Sequence, residues 1–142
     1  MPISTTILEN GVVKTWDSDA SILTFTIPNS NRATVDTYIE AVLESVKNWD
    51  TSNPYYGIQD ITSPDVSLTP YLRGRLPEIT QLFMDKEINS YIVLVMDNSF
   101  TAGVMKAFGR LMSRNTPFVT INFVTDISKA HEWIAKQHTP IS

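Results

Sequence analysis

The sequence predicts an α/β fold: one domain, residues 1–142, with a five-stranded, mixed but mostly parallel sheet and four helices. Three observations predict it. The stretch 88–134 reads strand, helix, strand, helix, as INSYIVLVMD, NSFTAGVMKAFGRLMSRNT, PFVTINFVTD and ISKAHEWI. Both of its strands are nearly all apolar, as strands covered on both faces are. The chain before it supplies an opening hairpin, an amphipathic helix and a further strand and helix, giving the order ββαβαβαβα.

Residues 1–8 form a polar leader that is loose or adds an edge strand. Residues 12–17 and 21–27 are β-type runs joined by the turn-forming Ser18-Asp19-Ala20. In the second run Leu23, Phe25 and Ile27 share one face. Pro28-Asn29-Ser30-Asn31 then breaks the strand. Thr34 is the expected N-cap of the first helix, whose apolar stripe is Val35, Tyr38, Ile39, Val42, Leu43, Val46 and Trp49.

Residues 55–61, YYGIQDI, are the third strand. Thr69-Pro70 marks a helix start, because proline suits the first helical position. Pro77 would then fall inside the helix and remove a hydrogen bond. An irregular turn over 70–76 is therefore expected, with the regular helix over 77–85 and Leu76, Ile79, Leu82 and Phe83 facing inward. Asn98 or Ser99 caps the third helix, with Phe100, Val104, Phe108, Leu111 and Met112 buried and Met105 beside them. Asp126 caps the last helix, which buries Ile127, Ala130, Trp133 and Ile134; residues 137–142 fray.

Composition narrows the function. The apolar fraction of 42% is that of an ordinary globular chain, which argues against disorder. A net charge of −4 argues against nucleic-acid binding, since no overall positive field draws phosphates. There is no cysteine, so disulfides, thiolate chemistry and cysteine metal sites are excluded. No signal peptide and no apolar run of about 20 residues is present, so a soluble cytoplasmic domain with no membrane span is expected.

The segments YIVLVMDNS, FTAGVMKAFGRLMSR and FVTINFVTDISKAHEWI resemble the STAS and SpoIIAA-like superfamily, the fold of bacterial anti-sigma-factor antagonists and related signalling domains. The closing Thr125-Asp126 followed by Ala130-x-x-Trp133-Ile134 is similar to the ending of its divergent members. The resemblance implies a non-catalytic regulatory module that works by protein–protein contact. In the antagonist branch a partner kinase phosphorylates an Asp-Ser-Ser-Gly motif after the third strand, and the added charge abolishes binding. That motif is absent here. Hydroxyls stand in the corresponding segment at Ser67 and Thr69, which would be the phospho-acceptors; the simpler uses are a loop residue and a helix cap.

Lys106, Arg110 and Arg114 are spaced i, i+4, i+8 and form a basic stripe along the third helix. They are the expected docking face for a protein partner, with Arg73 and Arg75 as additional cations; a solvated face is the plainer account. Asp60, Asp97 and Asp126 fall at carboxyl ends of strands, where open α/β sheets place ligands, and would be the best sites for a magnesium-dependent enzyme. No lysine stands where a receiver domain needs one, and capping accounts for Asp97 and Asp126. Neither His131 nor His138 has zinc-like spacing or a nucleophile context, and no glycine motif for nucleotides exists.

The expectation is therefore a non-catalytic binding module without metal or cofactor. Its alternative is a small-molecule or lipid carrier with a pocket under the third helix, lined by Phe100, Met105, Phe108 and Met112. Trp16, Trp49, Trp133, Tyr55 and Tyr56 are read as packing. The sequence identifies neither the partner nor whether the domain forms a homodimer.

Overall fold

Strand order follows chain order. In the computed structural model, which describes residues 4–17, 22–97, 103 and 118–138, six strands lie side by side as β1-β2-β3-β4-β5-β6. They are β1 Ser4–Ile7, β2 Val13–Trp16, β3 Ile22–Thr26, β4 Tyr55–Asp60, β5 Ser90–Val95 and β6 Val119–Val124. The β1–β2 and β2–β3 pairs are antiparallel, and β3 to β6 are parallel. The described α-helices are α1 Arg32–Lys47, α2 Pro70–Lys86 and α3 Ile127–His138.

The sheet thus has six strands rather than five. The polar leader contributes the extra one, because Ser4–Ile7 pairs along its length with Val13–Trp16. A short 3-10 turn, Glu9–Gly11, links the two. Within it Asn10 takes a left-handed φ of 59°, and its amide donates to Thr37 Oγ1 at 2.9 Å, tying the hairpin to α1.

Two helix boundaries differ from expectation. The first helix starts at Arg32 with Asn31 as N-cap, and Thr34 is buried within its first turn instead of capping it. The second runs unbroken from Pro70 through Pro77. Its start is fixed by Thr69 Oγ1, which accepts from the Leu72 N–H at 3.1 Å. Pro77 is exposed, as is Arg73 one turn earlier, so the carbonyl deprived of its helical partner faces water and the helix continues. Apart from Gly103, the predicted third helix, with its basic stripe and its apolar residues, lies outside the described residues.

Alternation along the strands divides the core. On one face Leu23, Phe25 and Tyr55 pack against Val35, Tyr38, Ile39, Val42 and Val46 of α1 and Leu72, Ile79 and Phe83 of α2. On the other, Tyr56, Ile58, Val93 and Val95 pack against Ala130 and Ile134 of α3. Strands β4 and β5 are thereby covered on both faces, which is why their sequences lack a polar side. Each fully buried large side chain here contributes roughly 1.5–3 kcal/mol.

Among the described residues an aromatic series runs along each face, with Phe25 and Tyr38 forming a separate pair beside the first. Trp16 stacks on Trp49 (5.7 Å between centroids), Trp49 meets Tyr55 (4.6 Å) and Tyr55 meets Phe83 (4.9 Å), linking β2, the chain just past α1, β4 and α2. Opposite, Tyr56 stacks on Tyr91, which contacts Trp133. No described helix is long and apolar enough to cross a membrane.

Candidate functional site

Between α1, α2 and the sheet the side chains leave a cavity of about 80 Å³. The strands supply its floor through Ile92, Leu94, Val119 and Ile121, with Ile27 following β3 and Ile61 following β4. Helix α1 supplies Tyr38 and Val42, and α2 supplies Leu72, Leu76, Ile79, Thr80 and Phe83. The floor forms because alternate residues of β5 and β6 point toward α2; Ile92 and Leu94 are only half-buried there.

Three polar side chains interrupt this apolar lining among the described residues: Tyr38, Gln59 and Thr80. Thr80 Oγ1 donates to the Pro77 carbonyl at 3.1 Å and is internally satisfied. The Tyr38 hydroxyl donates to Gln59 Oε1, with both side chains 95% or more removed from solvent. Gln59 Nε2 has no hydrogen-bond partner among the described residues. Gly57, one step earlier on the same face, leaves room for this amide: a Cβ there would stand 3.5 Å from Gln59 Nε2 and 2.8 Å from Tyr55 Cε1.

Burial makes phenolate formation unfavourable at both inner tyrosines. Tyr38 is pushed upward by loss of water, with Tyr55 adding to the rise. Tyr55 is pushed up to about 12 by burial, partly offset by its hydrogen bond to Ser45 Oγ at 2.9 Å. Both side chains are therefore neutral at physiological pH.

The expected site residues are dispersed. Arg75 is committed internally: its guanidinium reaches Asp36 at 2.8 Å, Glu40 at 3.1 Å and Glu78 at 2.7 Å. The Tyr71 hydroxyl also donates to Asp36, and Arg32 lies 4.4 Å over the Tyr71 ring. This group clasps α1 to α2. The Tyr71 hydrogen bond, then the Arg75 guanidinium, hold the Asp36 carboxyl below its ordinary range, and Arg75 does the same for Glu78. Arg73 is exposed on α2. Lys106, Arg110 and Arg114 lie outside the described residues.

Ser67 and Thr69 sit in a loop stitched to the one after β3. Ser30 Oγ donates to the Ser67 carbonyl at 2.8 Å and accepts from the Ser67 N–H at 2.6 Å, while Ser63 Oγ donates to the Pro28 carbonyl at 2.8 Å. Asp60 is engaged in a local turn, and Asp126 caps α3 as expected. Asp60 Oδ1 accepts from Thr62 N–H and Oγ1; Asp126 Oδ1 accepts from Ser128 Oγ and the Lys129 N–H, which lower its pKa. No group of three acidic or histidine side chains suited to a metal ion occurs among the described residues. His131 is exposed on α3.

Sequence reasoning missed Gln59 and Gly57. A signal was present, since a glutamine inside an otherwise apolar strand must find a buried partner or face a cavity. No family model, curated protein or solved structure matches this chain.

Proposed function

We propose that this protein is a non-catalytic binding domain whose inner cavity takes up a small, largely apolar molecule. The observation that carries this reading is the cavity itself. At about 24 cal/mol per Å³, leaving a volume of 80 Å³ unfilled costs up to about 2 kcal/mol. That is a sizeable part of the roughly 5–15 kcal/mol that holds a domain folded. Larger side chains at Val42 or Val119 would close the gap.

The size limits the occupant. A cavity of roughly 150 Å³ accommodates benzene, so this one suits a molecule of only a few heavy atoms. An acyl chain of lipid length exceeds it, and the carrier reading is narrowed accordingly. Among the described residues the lining offers no nucleophile with an adjacent base, which supports binding over catalysis.

The test is thermal unfolding under dissolved isobutane or cyclopropane. Bound ligand raises the melting temperature in a saturating manner. Wild type should show this rise and Val42→Phe, which fills the space, should not; Val42→Leu serves as the milder filling variant. Equal behaviour of wild type and both variants would overturn the reading.

A second reading is a module that docks a protein partner through the segment 62–71. Its support is the stitched loop, whose exposed Thr62, Pro64, Asp65 and Ser67 are presented on a scaffold fixed by Ser30 and Ser63. The resemblance to STAS and SpoIIAA-like domains points the same way, with Arg73 and the Lys106, Arg110, Arg114 stripe as docking cations. Charge reversal at those three stripe positions should weaken partner capture without unfolding the domain; unchanged capture would remove the stripe from the account.

A further inference from the structure

Resting on the cavity reading, and going further to the chemical class of the occupant, we infer that the ligand is a neutral molecule with a short hydrocarbon body and one oxygen acceptor, held by Gln59 Nε2. Gln59 is 4% exposed and lines the cavity. Its Oε1 is taken by the Tyr38 hydroxyl, which fixes the amide and leaves both Nε2 hydrogens without an acceptor among the described residues. A buried amide donor left unpaired in apolar surroundings is unfavourable, so an acceptor entering the cavity gains the full worth of that hydrogen bond.

Charge decides what kind of acceptor fits. No lysine, arginine or histidine lines the cavity among the described residues. A carboxylate or phosphate oxygen would therefore lose its hydration without a counter-charge, whereas a carbonyl, ether or hydroxyl oxygen would not. Thr80 is no rival donor, because its hydroxyl is directed to Pro77. The remaining lining, including Ile79, Ile92 and Val119, contacts the hydrocarbon body.

The experiment is an NMR titration at pH 7 with three probes of similar size: 2-butanone, isobutane and butyrate. It compares wild type, Tyr38→Phe and the pair Tyr38→Phe/Gln59→Leu; the pair also removes the hydroxyl that could turn to the ligand. Gln59→Met stands in if the pair does not fold. In wild type 2-butanone and isobutane bind and butyrate does not. Tyr38→Phe keeps the ketone, and the pair weakens it by about three- to tenfold relative to isobutane. An unchanged ketone-to-isobutane ratio in the pair would overturn the acceptor assignment while leaving the cavity reading intact. Butyrate binding as tightly as the ketone would overturn the neutrality of the ligand. Wild type binding none of the probes would overturn the cavity reading itself, and this inference with it.

Discussion

The Tyr38 hydroxyl donates to Gln59 Oε1 across the gap between α1 and β4, and both residues are 95% or more removed from solvent. One hydrogen bond thus anchors the only two polar side chains that meet inside an apolar cavity wall among the described residues. Removing one member strands the other. Tyr38→Phe should destabilise by about 1–2 kcal/mol in urea denaturation, because the glutamine oxygen loses its donor. Tyr38→Phe/Gln59→Leu should recover much of that loss, since neither unpaired group remains. A double variant as unstable as the sum of its singles would contradict the pairing.

Gly57 is required by its neighbours rather than by its backbone. An added methyl would stand 2.8 Å from Tyr55 Cε1 and 3.2 Å from Ile92 Cδ1. The Tyr55 ring has no free direction, being held between Trp49 and Phe83. Gly57→Ala should therefore destabilise by about 1–3 kcal/mol and disturb Trp49 fluorescence. A neutral substitution would show that the ring yields easily.

Alkaline pH should unfold the chain through its inner tyrosines. Both Tyr38 and Tyr55 have pKa values raised in the folded state, Tyr55 to about 12. Their stabilising contribution is complete below the unfolded tyrosine value near 10 and lost as pH rises through the folded values. Absorbance of these two phenolates should appear only with loss of circular dichroism. Their smooth titration near pH 10 in a folded chain would contradict their burial.

Acid should release the α1–α2 clasp. Asp36 and Glu78 have lowered pKa values, so their contribution is complete above the ordinary carboxylate value of about 4 and falls as pH drops through the depressed ones. Arg75→Met should lower the melting temperature by a constant amount from neutral pH to about 5, and by progressively less below about 4. A difference independent of pH throughout would show that Arg75 acts by packing alone.

The α/β class was readable because periodicity separates buried parallel strands from amphipathic helices, as in residues 55–61 and 35–49. The edge strand Ser4–Ile7 was ambiguous because all four of its residues are exposed, and no apolar pattern marks such a strand. Pro77 misled because its penalty depends on whether the abandoned carbonyl reaches water, which spacing alone does not give. Arg75 looked like a free cation; its three carboxylate neighbours come from α1 and from the next turn of its own helix. The cavity was hard to read for a related reason: apart from Gln59 and Thr80 its described lining residues are ordinary core residues, and the missing volume belongs to the way α1, α2 and the sheet meet.

The most direct test of the account is methyl NMR of the wild-type protein under rising xenon pressure. Saturating shifts are expected at the methyl groups of Ile79, Ile92 and Ile121, absent in Val42→Phe. Ile7, 77% exposed on β1, should show only a linear solvent response. Shifts that are linear everywhere, with the cavity methyls behaving as Ile7 does, would contradict an accessible apolar site.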